Sequence, residues 1–182
     1  MGKDDIDRTP VEDDEDEPEE DERIEEVFDY VQKHDPKETA EFINKVATQG
    51  PATIEGNLCT NKPFFSAYFL LMGIFDEDEP LPPQITEKAD YLKGWADDDE
   101  KQEALLCCFE FFVCKKQEGS IDAFEGVLKP LWELDIVAEQ IIIQWCENET
   151  ASCGFGVTEE HALQVREAAK PFVAWVQEGE ER

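Results

Sequence analysis

Two histidines, six cysteines and a large excess of carboxylates are the groups in this 182-residue chain that could do chemistry. The cysteines stand at 59, 107, 108, 114, 146 and 153 with no CxxC pair, and His34 and His161 are the only imidazoles. That spacing offers no tetrahedral zinc set. Cys107, Cys108 and Cys114 fall inside an apolar helical run, where a reduced thiol behaves as a small hydrophobe. Neither histidine has a serine or cysteine that the sequence can place beside it, so both are expected on the surface rather than in a nucleophile–base pair. Gly154-Phe155-Gly156 is too short to cradle a phosphate, and no P-loop motif occurs. Carboxylate pairs are so frequent that no single pair signals an acid–base dyad. No metal, cofactor or catalytic centre is expected.

What remains is binding, and two stretches carry it. In Leu131–Trp145, Leu134, Val137, Ile141 and Trp145 fall at i, i+3, i+7 and i+11, which predicts one helix with an apolar face. Asp135 and Glu139 are four apart and fall on the side that this stripe leaves open. Lys170–Glu181 repeats the combination: Phe172, Trp175 and Val176 make an apolar face, and Glu178, Glu180 and Glu181 crowd the exit. One reading is two amphipathic helices that only close a core; Trp145 is expected there. The other makes the carboxylate rims a docking surface for a basic peptide. Glu133, Asp135, Glu139, Glu147, Glu178, Glu180 and Glu181 would supply charge. Trp132 and Trp175 would supply aromatic surface on which a lysine stem or ammonium packs. Lys115 and Lys116 leave open a second, basic contact surface.

The charge balance agrees with a basic partner. The formal net charge is −30, from 46 acidic and 16 basic residues. Residues 1–26 hold 15 acidic and 3 basic side chains, so −12 lies in that segment and −18 in the rest. A body this acidic repels phosphate backbones and recruits lysine- or arginine-rich segments in a salt-sensitive way. Residues 1–20 have little to bury and repel one another, so disorder is expected there, as a solvated linker or the cut end of a longer protein. The acidic start is unlike a secretory signal, Ile6 breaks the myristoylation pattern, and the apolar run Pro63–Phe75 is too short to span a bilayer. A cytoplasmic, reduced protein is expected.

The elements that must position these residues are helical, and residues 21–182 are expected to form one domain. Ile24, Val27, Phe28 and Val31 make a first stripe. Asp35-Pro36-Lys37-Glu38 has the form of a capping box with proline at the first helical position. Pro63–Phe75 is apolar all round, as a helix in the middle of a stack would be. Gln84–Trp95 reads as one helix, Asp97–Glu100 caps the next, Pro130 must kink or restart Ile121–Leu134, and about Asp135 the helix of the first stretch begins, ending before Asn148. Thr158 is a good N-cap, and Pro171 is expected to break or bend the last helix. About eight helices with short loops imply antiparallel neighbours stacked in pairs, an all-α solenoid.

The blocks Leu131–Trp145 and Lys170–Glu181 resemble the two acidic-aromatic boxes that end the W-two domain, and the resemblance extends upstream through Tyr91–Trp95 and Glu103–Val113. That domain is found at the C-terminus of eukaryotic translation initiation factor five, of the epsilon subunit of the initiation-factor-two exchange factor, and of related regulators. Family members often carry two or three glutamates where this chain has Ala138, Glu139 and Gln140, so its first box is thinner. The resemblance implies a HEAT-like stack and a non-catalytic adaptor that assembles the pre-initiation complex. Its partners would be the lysine-rich tail of the beta subunit of initiation factor two, an initiation-factor-three subunit and initiation factor one. The nucleotide-exchange domain of the epsilon subunit and a regulatory mimic of factor five are the alternatives. The GTPase-activating half of factor five, with its zinc module, has no counterpart in residues 1–60, so the chain reads as an isolated C-terminal half or a relative without that half.

Overall fold

The computed structural model describes residues 20–55, 57–149 and 156–180. The segment expected to be disordered lies outside these, except Glu20, which already opens the first helix. Nine α-helices follow among the described residues: α1 (Glu20–Val31), α2 (Pro36–Val46), α3 (Lys62–Ile74), α4 (Leu81–Glu87), α5 (Ala89–Trp95), α6 (Asp99–Lys116), α7 (Glu125–Glu133), α8 (Glu139–Glu147) and α9 (Glu159–Glu180). A 3-10 helix (Glu118–Ala123) joins α6 to α7, and a two-residue hairpin, Thr53–Ile54 with Asn57–Leu58, precedes α3. The described residues form an all-α, HEAT-like stack, with one more α-helix than the eight or so expected.

Local chemistry sets the helix starts. Asp35 Oδ1 accepts from the Glu38 amide while Glu38 Oε1 accepts from the Asp35 amide, which completes the capping box. Asn61, Asp98 and Thr158 each accept a hydrogen bond from an amide three residues on. One expected helix, Gln84–Trp95, is two: α4 begins earlier, at Leu81, with Pro82 and Pro83 in its first turn, and the chain breaks at Lys88 (φ −100, ψ 15) before α5. The first turn tolerates proline because its amides lack intrahelical partners anyway. Gln84 ties the acidic loop before it, donating from Nε2 to the carbonyls of Asp76, Glu79 and Pro80.

Packing runs as a row. α3 lies between α1 and α6, α6 packs on α8, α2 pairs with α5, α4 with α7, and α9 closes the end against α7, α8 and the 3-10 helix. From Phe64 to Leu71 every residue of α3 is buried, as its uniformly apolar sequence requires. At Gly73 a Cβ would stand 2.4 Å from Val27 Cγ1, so the α1–α3 contact demands glycine. Arg23 of α1 is buried between α2 and α3: Nη1 and Nη2 donate to the carbonyls of Val46 and Pro51, and its guanidinium lies 4.9 Å from the Phe69 ring centre. Among the described residues no helix is long and apolar enough to cross a membrane.

Candidate docking face on the last three helices

The stretch Leu131–Trp145, divided as expected near Asp135, is the end of one helix, a tight corner and a second helix. α7 ends at Glu133 and α8 begins at Glu139, so Leu134 and Val137 belong to the connection and Asp135 does not share a helical face with Glu139. The corner is a Schellman closure: the Ile136 amide donates to the Leu131 carbonyl and the Asp135 amide to the Trp132 carbonyl. Asp135 takes the left-handed position (φ 59) that glycine usually fills. Aspartate is among the few residues that tolerate that region. Leu131 and Ile136 are both buried, making the apolar contact that accompanies this motif. The second helix begins four residues later than the expected start near Asp135, and Ile136 and Val137 are buried in the connection.

The corner turns Trp132 toward α9. Its Nε1–H donates to Glu139 Oε1 at 3.3 Å, bridging the connection from the last turn of α7 to the first of α8. The indole packs edge-on against Trp175 (centroids 5.2 Å, interplanar 78°) and against Phe172 (5.9 Å, 80°). Phe172 and Trp175 are three apart on α9 and tilt against one another at 5.9 Å. Phe172 is buried, Trp132 half-buried, and Trp175 is 54% exposed, so the cluster is rooted in the core and open to solvent on one side. Pro171, on the exposed side of α9, neither breaks nor ends the helix, which runs unbroken from Glu159 to Glu180. The Glu167 carbonyl it leaves without a helical donor can take water instead.

Carboxylates surround the aromatic cluster unevenly. Glu133, Asp135 and Glu178 are exposed and Glu139 is half-buried. The side chains of Glu180 and Glu181 lie outside the described residues. Glu147 does not join the cluster. It sits at the far end of α8, about 12 Å along the axis from Glu139. α8 and α9 run antiparallel, as the contacts near Trp145–Arg166 at one end and Glu139–Trp132–Trp175 at the other require. Lys115 and Lys116 are elsewhere: Lys115 leans on the Phe111 ring, and Lys116 Nζ is 3.5 Å from Glu55.

What holds α8 and α9 in register is a buried ion pair that the sequence reading missed. Glu110 of α6 is fully buried; its Oε2 accepts from Arg166 Nη1 at 2.5 Å and its Oε1 from Trp145 Nε1 at 3.1 Å. Arg166 donates further to the carbonyls of Trp145 and Ala162, and its guanidinium stacks 4.4 Å from the Trp145 ring. Trp145 is buried as expected. The available signal was a lone carboxylate within Leu105–Val113, an otherwise apolar run that cannot leave a charge unpaired.

His34 stacks on Tyr30 with centroids 3.6 Å apart, and His161 Nε2 meets Glu118 at 3.1 Å. Burial pushes the Cys107 and Cys108 thiols well above the ordinary range and Cys114 up to about 12, so these sulfurs are protonated and inert near neutrality. Among the described residues no group of three or more His, Cys, Asp or Glu side chains is arranged to hold a metal ion.

The described residues thus form a HEAT-like helical stack closed by a corner that bears an acidic-aromatic cluster. Residues 101–182 match the family described as W2: eIF4-gamma/eIF5/eIF2-epsilon, and that span contains all of α7, α8 and α9. The chain is 30% identical over 105 residues to eukaryotic translation initiation factor 5 of Mus musculus, covering 57% of this chain and 24% of that protein. A probable eukaryotic translation initiation factor 5-2 of Arabidopsis thaliana is 26% identical over 167 residues, 90% of this chain and 34% of that one. The chain thus spans about a quarter to a third of the length of these relatives. The solved C-terminal domain of translation initiation factor 5 at low pH shares the fold, with a TM-score of 0.63 at 23% identity over 87% of this chain and 93% of that one.

Proposed function

We propose that this chain is a non-catalytic adaptor in translation initiation, whose α7–α9 corner grips lysine-rich chain segments. The observation that carries the reading is the Trp132–Trp175 pair, with Trp175 left 54% exposed beside exposed carboxylates. A core-only role would not leave an indole half in water. An ammonium over an exposed indole contributes about 0.5–1 kcal/mol, and one exposed ion pair about 0.2–1 kcal/mol. Several such contacts must therefore act together to give useful affinity. The partners that suit this chemistry are the lysine-rich tail of the beta subunit of initiation factor two and, by the resemblance, an initiation-factor-three subunit and initiation factor one. The similar proteins reported above are factor-five proteins, which favours the adaptor over the nucleotide-exchange alternative.

The test is fluorescence anisotropy with a labelled lysine-block peptide across a salt series. Trp175→Ala should weaken binding about two- to fivefold, and Glu178, Glu180 and Glu181 changed together to Lys about tenfold or more, with the charge effect fading in high salt. Glu147→Lys should change affinity less than twofold, because it lies beyond a Debye length (about 8 Å) from the cluster. If Glu147→Lys matters as much as the triple reversal, the peptide is held by overall charge and the proposed face is wrong.

A further inference from the structure

A second concavity is built by elements that the aromatic corner does not use. Its volume is about 400 Å³, within the usual range for small-molecule sites. The end of α2 contributes Ala47, the following segment Ala52, the first turn of α3 Pro63 and Phe65, and the end of α5 Trp95. These make an apolar wall where water finds few partners. Trp95 Nε1–H donates to Asn44 Oδ1 at 3.3 Å, so its polar edge is already occupied.

Beside Asn44, Thr48, Cys59 and Ser66, the polar lining of the cavity holds two ammoniums. Lys62 and Lys101 both line it, although the chain as a whole carries −30. Lys62 is exposed and makes no ion pair among the described residues. Lys101 Nζ lies 5.9 Å from the Trp95 ring centre and 3.0 Å from Asp97 Oδ1, which steadies the ammonium beside the cavity. We infer that this cavity binds a small amphipathic monoanion, one carboxylate on an apolar body of roughly six to ten carbons. The carboxylate meets Lys62 and Lys101, and the body lies against Phe65, Pro63 and Trp95. The long-range field of the chain repels polyanions and acidic peptides most, whereas a single charge meets the least repulsion, beside Lys62 and the Asp97-paired Lys101.

Octanoate is the probe, titrated into the intact chain while the four indole N–H signals are followed in nitrogen-edited proton spectra. The Trp95 signal should shift saturably and that of Trp145 should not move. Lys62→Glu should weaken binding about fivefold, since it replaces an attraction with a repulsion at an exposed site. Octanol, which keeps the body and lacks the charge, should bind less tightly than octanoate. Ala52→Trp, at an exposed position lining the cavity, should abolish the shift by filling the space. The inference fails if Trp95 shows no saturable response at tens of millimolar octanoate. It fails equally if Trp132 and Trp175 respond in its place, if octanol binds as well, or if Ala52→Trp leaves the response intact.

Discussion

Changing Glu110 to Gln tests whether the buried ion pair fixes the last helices. The substitution conserves volume and leaves an oxygen to accept from Trp145 Nε1, but it removes the negative charge facing Arg166. The guanidinium, 1% exposed, would keep only the carbonyls of Trp145 and Ala162. An uncompensated buried charge of this kind costs about 3–5 kcal/mol. At about 2–4 °C per kcal/mol for a chain of this size, Tm should fall by roughly 6–20 °C. Urea unfolding followed by tryptophan emission and by far-ultraviolet dichroism gives the free energy directly. The double change Glu110→Gln with Arg166→Met removes both charges, keeps an acceptor for Trp145 Nε1 and should recover most of the loss, because neutral pairs often replace buried ion pairs at little net cost. A Glu110→Gln protein within about 1 kcal/mol of the parent, or a double variant whose cost is the sum of the singles, would refute the reasoning.

The tryptophans should separate by burial: Trp145→Ala costs about 3–5 kcal/mol by urea unfolding, whereas Trp175→Ala, at a half-exposed position, costs about 1 kcal/mol or less. At the α7–α8 corner, Asp135→Gly should be neutral or stabilising and Asp135→Val should cost about 1–2 kcal/mol, measured by thermal melting, because φ 59 penalises a β-branched side chain. Stability should decline as pH rises above about 9, since the unfolded chain then ionises Cys107, Cys108 and Cys114 while burial keeps them protonated in the fold. Tyr68, raised by burial and by its hydrogen bond to Glu20, adds to the same decline at higher pH. Urea midpoints from pH 7 to 10 measure this slope, and Cys114→Ala should flatten it.

Helix starts were legible because their chemistry is local: Asp35, Asp98 and Thr158 each cap within three residues of themselves. The buried α3 was legible because it is apolar on every face. Helix ends were harder. The Asp135 corner depends on a left-handed residue that is not glycine, and Lys88 divides two helices with no glycine or proline to mark the break. Of the two outcomes expected at Pro171, the break does not occur, because proline on the solvent side of a long, well-packed helix forfeits only a hydrogen bond that water replaces. The candidate site was half legible. Trp132, Trp175, Glu139 and Glu178 follow from the two boxes, but their meeting requires a fold-back between α7 and α9 that spacing does not encode. Glu110 and Arg166 were invisible as a pair because 56 residues separate them.

The inward placement of arginine has a chemical consequence. Arg23 and Arg166 are the only arginines among the described residues, and both are 1% exposed. Among the described residues, every permanent cation shown to water is therefore a primary amine. Acetylating reagents would strip its outward positive charge while the guanidiniums stay sheltered inside. Such treatment should turn an acidic protein into a nearly pure polyanion without dismantling it.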